Sequence, residues 1–244
     1  MDIETHMSLV KLRSGRFLVI DAVPISSSLK TQIDELTNGG SLIEACVMTH
    51  PFHTVYVQPF HALYPTLRYY GTPRHLRNIP IKWEGSLHEP EVRSLWENEG
   101  VFMRIPDGAE FEYPVESNHF SSVFVFHQDS RTIHVDDTIQ YFENPGWVLS
   151  LLGKKAGRME FWYLDRGLHH TQQGPLDFKA WVEQLLQDWD FDNLCTAHVG
   201  NRLGGAKELL RTTLEANTPT LMQLSERWTG NVEDTSVVPL SDRI

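Results

Sequence analysis

The residues best equipped for chemistry in this sequence are histidines and a carboxylate at the ends of short apolar runs. His50 and His53 follow Cys46-Val47-Met48, and His119 precedes Val123-Phe124-Val125-Phe126. Asp137 follows Ile133-His134-Val135-Asp136, and His198 follows Leu194-Cys195-Thr196-Ala197. A neutral imidazole offers a ring nitrogen to a metal, and a carboxylate offers oxygen. Runs of this kind read as strands, and in open α/β sheets sites gather where strand ends meet loops. Three or more such donors hold an ion, and imidazole plus carboxylate without cysteine suits zinc, iron or manganese. The competing reading makes His50 and His53 strand caps bonded to backbone, His119 a loop residue and Asp137 a turn former.

Other residues carry weaker signals. His75, in Gly71-Thr72-Pro73-Arg74-His75, lies on a loop that could approach the site and lend a substitute ligand. His61 reads as packed or surface, and the His169-His170 doublet as a surface loop. His88, His127 and His134 have no partner pattern, and strand alternation sets His134 on the face opposite Ile133. Gly200-Asn201-Arg202-Leu203-Gly204-Gly205 precedes a helix and could cradle an anion there. It lacks the Lys-Ser/Thr of a nucleotide phosphate loop. No Gly-x-Ser-x-Gly elbow is present, which counts against a serine hydrolase. Arg74, Arg77 and Lys82 form a small basic group, read as solvated charge before an anion site. Trp147, Phe161, Trp162, Trp181 and Trp189 read as packing residues.

The elements that must position these groups alternate between strand and helix. Ser8 to Arg13 and Arg16 to Asp21 read as strands joined at Ser14-Gly15, the second apolar on both faces and so internal. Ser28 is the expected cap of a helix through Leu29, Ile33 and Leu36, stopped by Asn38-Gly39-Gly40. A strand from Leu42 to Thr49 leads into the histidine pair. A short helix from Pro59 to Tyr64 and a strand from Leu67 to Tyr70 follow. From Asn78 to Pro114 prolines leave short pieces: a helix near Val92 to Trp96 and a strand near Val101 to Arg104. Val123 to Phe126 and Thr132 to Asp136 form a hairpin around Gln128-Asp129-Ser130. Trp147 to Leu152 starts a helix, and Met159 to Leu164 is helix or strand. Asp177 caps an amphipathic helix through Phe178, Trp181, Val182, Leu185, Leu186 and Trp189. Leu194 to Ala197 is a strand, and Gly204-Gly205 opens a helix through Leu214.

A chain of 244 residues, 41% hydrophobic and 22% charged, can bury a sizeable core. Its formal net charge of -11 disfavours nucleic acid as a partner, because phosphate binding needs Lys/Arg patches. Cys46 and Cys195 sit in apolar runs and read as buried free thiols, which suits a cytoplasmic protein. No apolar stretch approaches the roughly 20 residues that span a bilayer, so no membrane partner is expected. The start of the chain, Met1-Asp2-Ile3-Glu4, lacks the basic and apolar pattern of a signal peptide.

The ordered motifs from about residue 8 to 215 resemble the metallo-β-lactamase-fold superfamily. Leu18-Val19-Ile20-Asp21-Ala22 is similar to its second strand, which ends in Asp. Thr49-His50-Pro51-Phe52-His53 resembles its Thr-His-x-His-x-Asp-His loop, and Asn118-His119-Phe120-Ser121-Ser122 its Gly-His-Thr-Pro-Gly-Ser segment. Asp136-Asp137-Thr138 resembles Gly-Asp-Thr, and Ala197-His198-Val199-Gly200 resembles Gly-His-Gly. The resemblance implies an α/β fold, a four-layer αββα sandwich with residues 1–228 as one domain and 229–244 as a loose tail. It implies a transition metal, zinc before iron or manganese, held by some of His50, His53, His119, Asp137 and His198. Asp137 is the candidate catalytic carboxylate, with Asp21 orienting ligands from behind. The implied activity is hydrolysis of a small ester, thioester, lactone or lactam by a metal-bound water. The chain departs from the pattern where Thr54 and Val55 stand near the family's Asp-His pair. That loss argues for one ion rather than two. It also keeps open a degenerate domain with a binding or scaffolding role.

Overall fold

Short apolar runs separated by turn residues predict many small strands, and the computed structural model, which describes residues 5–114 and 118–230, contains them. The chain divides into two compact units, Thr5–Met103 and a second running from Arg104 onward.

The first unit is a twisted sheet with helices on it. β1 (Ser8–Lys11) and β2 (Phe17–Ile20) pair antiparallel. Gly15 turns between them at φ 83°, a conformation glycine adopts without strain. After α1 (Ser27–Thr37), β3 (Ile43–Val47) pairs parallel to β2. Then come α2 (Val57–Leu63), β4 (Arg68–Gly71), α3 (Pro73–Asn78), β5 (Gly85–Ser86) and α4 (Pro90–Arg93). The sheet order is β1-β2-β3-β4-β5. Inner strands β2 and β3 are buried along nearly their whole length, as continuous apolar runs require. Ile33 of α1 and Val57 and Phe60 of α2 close over Val19, Cys46 and Tyr69 of the sheet.

Four local expectations change in this unit. Ser26, not Ser28, caps α1, accepting the Leu29 N–H at 3.1 Å. Leu36 is 60% exposed, so the buried stripe of α1 runs through Ile33 and Thr37. Arg74-His75-Leu76 lies in a helix rather than a loop, because Pro73 fits a first helical turn. The piece expected near Val92 to Trp96 is α4, ending at Arg93.

Asp34 ties α1 to α2. It pairs with Lys30 and accepts the Tyr64 hydroxyl at 2.9 Å. Those bonds hold its carboxyl below the ordinary value of 3.8, while burial first and the Asp34 bond second push Tyr64 up. A lowered carboxylate contributes stability above its unfolded pKa and loses it as pH falls through the folded value. An NMR titration should therefore place the Asp34 midpoint under 3.8, and Tyr64→Phe should move it upward. An unmoved midpoint contradicts the assignment.

β6 (Val101–Arg104) carries the chain into the second unit. There β7 (Phe124–His127) and β8 (Thr132–Val135) form the expected hairpin. β9 (Ile139–Phe142) follows, then α5 (Trp147–Leu151), β10 (Arg158–Phe161), α6 (Leu164–Gly167), α7 (Gly174–Asp188), β11 (Asn193–Thr196) and α8 (Ala206–Arg227). β11 pairs parallel to β8, and β9 pairs antiparallel with β10. The stretch from Met159, undecided in sequence, is thus the strand β10, held by its partner β9. Gln173 occupies the cap position of α7, and Asp177 lies in its first turn. α8 continues well past Leu214 with Pro219 inside it, and Trp228 beyond it is buried. Of the expected loose tail, residues 231–244 lie outside the described residues, as do Met1–Glu4.

Aromatic packing builds the core of this unit. Phe124 meets Trp181 edge-on at 5.0 Å, and Phe126 stacks on Trp189 at 5.3 Å. Phe178 takes Phe120 and Phe161 edge-on, each at 5.4 Å. Trp147 is the exception to the packing expectation, being 80% exposed.

The two cysteines separate by environment. Cys46 is fully buried in β3, and burial, with the charge of Asp21 adding, pushes its thiol well up. Cys195, expected buried, is only partly covered. Since the thiolate is the reactive form, a thiol reagent should label Cys195 in the native protein and Cys46 only after unfolding. Mass spectrometry of the labelled peptides reads this directly, and native labelling of Cys46 would contradict it.

Candidate metal centre

Each unit holds its own group of candidate residues. In the first, Asp21 leaves β2 in the left-handed region at φ 61° and is buried. Its carboxylate accepts the Thr49 N–H at 2.9 Å and the Thr49 hydroxyl at 2.6 Å. Thr49 immediately precedes His50, so Asp21 fixes the start of the histidine loop through its backbone. The His53 N–H closes a turn onto the His50 carbonyl at 3.1 Å. That turn brings the two imidazoles to 4.3 Å between centroids, with His50 buried and His53 partly so.

The His50 ring has a defined polarity. Its Nδ1 accepts the Phe52 N–H at 3.3 Å, which puts the ring proton of the neutral form on Nε2. A ligand acting through Nε2 needs the opposite tautomer and must give up that contact.

His75 supports this loop. Its Nδ1 accepts the Thr72 N–H at 3.2 Å and lies 2.9 Å from the Thr72 hydroxyl, while Nε2 faces the His53 carbonyl at 3.5 Å. Both ring nitrogens thus face local structure, an arrangement that fits a positioning role better than a substitute ligand. Beside it, the Arg74 guanidinium lies over the Phe52 ring at 4.6 Å.

In the second unit, Asp137 and His198 meet. Asp137 Oδ1 is 3.5 Å from His198 Nε2 and accepts from the Gln140 side chain at 3.1 Å. The turn carrying His198 is tightly held: the Thr196 hydroxyl donates to the carbonyls of His198 and Gly200, at 2.5 and 2.7 Å. Val199 sits at φ 65°, costly for a β-branched residue and of order 1–3 kcal/mol where it persists. Gly200 is required, since a Cβ there would lie 2.5 Å from the Glu143 Cβ.

Asp136 and Asp137 have separate surroundings. Asp136 is fully buried, with Oδ1 3.5 Å from the buried His134 Nε2. Its N–H donates to Ser122 at 3.3 Å. His134, unassigned in sequence, therefore belongs beside the site, and its spacing of two from Asp136 on one strand was the available signal.

His119 is exposed, next to residues 115–117, which lie outside the described set. Its neighbour Asn118, standing where the family pattern has Gly, anchors the loop. The amide donates to the carbonyls of Glu110 and Tyr113, at 2.8 and 3.0 Å, and accepts from the Phe120 N–H at 3.1 Å. The proposed anion cradle before α8 is filled from within. Gly204 donates to Asn193 and Gly205 to Asp192, at 3.0 and 2.7 Å.

No protein-family model matches the chain, and no curated protein sequence does. Solved structures do match. The DIM-1 metallo-beta-lactamase is similar over 93% of this chain and 97% of its own, with TM-score 0.53 and 14% identity. The chain has the metallo-β-lactamase fold. A metallo-beta-lactamase from Pontibacter korlensis gives TM-score 0.53 at 14% identity, covering 91% of this chain and 88% of that one. A structure described as a peroxy diiron species of chemotaxis sensor ODP gives 0.52 at 12%, covering 90% and 87%. Fold and donor types together support a metal cofactor. Among the described residues no helix is long and apolar enough to cross a membrane.

Proposed function

We propose that the chain is a metal-dependent hydrolase acting on a small ester, thioester, lactone or lactam. The observation that carries this reading is the pairing of Asp137, just after β8, with His198, whose turn after β11 holds Val199 at φ 65°. The candidate ligands are those the resemblance implies, some of His50, His53, His119, Asp137 and His198. One ion fits this donor set better than two, since Thr54 and Val55 replace a further Asp-His pair. Zinc is the first candidate, iron and manganese the alternatives. An ion held by these residues would supply Lewis-acid activation of a water nucleophile. The protein's part is to aim the donors: Asp21 through Thr49, His75 through the His53 carbonyl, Gln140 through Asp137.

Metal analysis of protein purified without chelator tests the reading. Near-stoichiometric metal is expected. Asp137→Ala and His198→Ala should each weaken uptake by more than the roughly 10–100-fold that loss of a supporting partner costs. Trace metal that cannot be reloaded ends the hydrolase proposal.

A second reading, a degenerate domain kept for binding or scaffolding, draws on the Phe52 N–H that occupies His50 Nδ1. It predicts no metal, no turnover, and an unchanged melting temperature in both variants.

A further inference from the structure

The β9–β10 hairpin carries a long loop, residues 143–157, whose composition does not suit water. Loops of this length without a packing role are commonly functional. α5 lies inside it and has no buried residue. Trp147 is 80% exposed, Leu151 81%, Leu152 68% and Val148 38%. The loop nevertheless has its own backbone order. The Leu152 N–H bonds the Val148 carbonyl at 3.1 Å, Lys154 the Leu149 carbonyl at 2.9 Å, and Gly157 the Phe142 carbonyl at 2.7 Å. Contiguous exposed apolar side chains on ordered backbone mark an interaction surface.

Charge selects the partner. The whole chain carries -11, yet no acidic residue occurs between Glu143 and Glu160, where Lys154, Lys155 and Arg158 stand. Lys155 is exposed, while Lys154 and Arg158 are both ion-paired with Glu160 at the loop base, so Lys155 is the loop's cation toward a partner. An exposed tryptophan and leucines followed in the same loop by the exposed Lys155 suit a bilayer interface, apolar inward and cationic at the headgroups. We propose that residues 143–157 form a docking arm for an anionic lipid surface. The expectation of no membrane partner rested on the lack of a spanning segment, and a surface arm needs none. The proposal is independent of the metal reading.

Co-sedimentation of the full chain with vesicles tests it. The probes are phosphatidylcholine alone and phosphatidylcholine mixed with phosphatidylglycerol. Binding to the mixed vesicles is expected, weaker to the neutral ones, and falling with salt. Trp147→Ser combined with Leu151→Ser should lower the binding constant at least about tenfold. Lys155→Glu should lower it about fivefold or more. Both should keep the wild-type melting temperature, since the altered side chains are exposed. Absence of binding, equal binding to both vesicles, or unchanged binding by the double variant overturns the proposal. So does self-association in sedimentation velocity that the double variant abolishes without any vesicle binding, which assigns the arm to a second copy of the chain.

Discussion

Asp21→Ala is expected to destabilise the protein by about 3 kcal/mol or more, as the loss of two hydrogen bonds to a buried carboxylate. The carboxylate accepts both the Thr49 N–H and the Thr49 hydroxyl. Without it two donors stay in a region closed to water, each costing about 1–3 kcal/mol. The backbone adds to the loss, since φ 61° suits Asp or Asn better than Ala. Asp21→Asn keeps the size and one acceptor oxygen, so it should cost about half as much. Urea unfolding measures both. The imidazole resonances of His50 and His53 should broaden or shift in Asp21→Ala, because Thr49 anchors their loop. A change within about 0.5 kcal/mol of wild type would show that Asp21 is not the anchor.

Phe178→Ala should cost about 3–5 kcal/mol, the range for emptying a large buried aromatic site. Phe178 is fully buried and touches Phe120 and Phe161, which arrive from the loop before β7 and from β10. The cavity cannot close by collapse of one neighbour, because Gly167 already presses on Phe120: a Cβ there would lie 2.1 Å from the Phe120 Cβ. The expected fall in melting temperature is roughly 10 °C. Phe178→Leu, which keeps most of the volume, should lose about 1–2 kcal/mol. Equal losses for the two would mean that the aromatic cluster does not carry this core.

Much of the architecture was legible because local chemistry repeats it. Apolar runs of strand length, the Ser14-Gly15 turn, the Asn38-Gly39-Gly40 stop and the amphipathic stripe from Phe178 to Leu186 each act within a few residues. Errors fell where neighbouring residues compete for one role. Ser26 and Ser28 are equally able caps, and only where Leu29 lies decides between them. β9 has no clear local signature, because Ile139-Gln140-Tyr141-Phe142 takes its strand character from pairing with β10. Trp147 is exposed against the packing expectation, since nothing in a sequence tells a buried indole from one held out on a loop.

By itself the sequence determined which residues end strands, and so which side chains stand at loops where chemistry is possible: His50, His53, Asp137 and His198. The tertiary structure decided what each faces. It turned Asp137 toward His198, set His75 beneath the His53 carbonyl and brought Asp21 onto Thr49. Strand ends follow from short-range patterns of burial, whereas a side chain's hydrogen-bond partners come from segments far apart along the chain, and these meet only when the core closes.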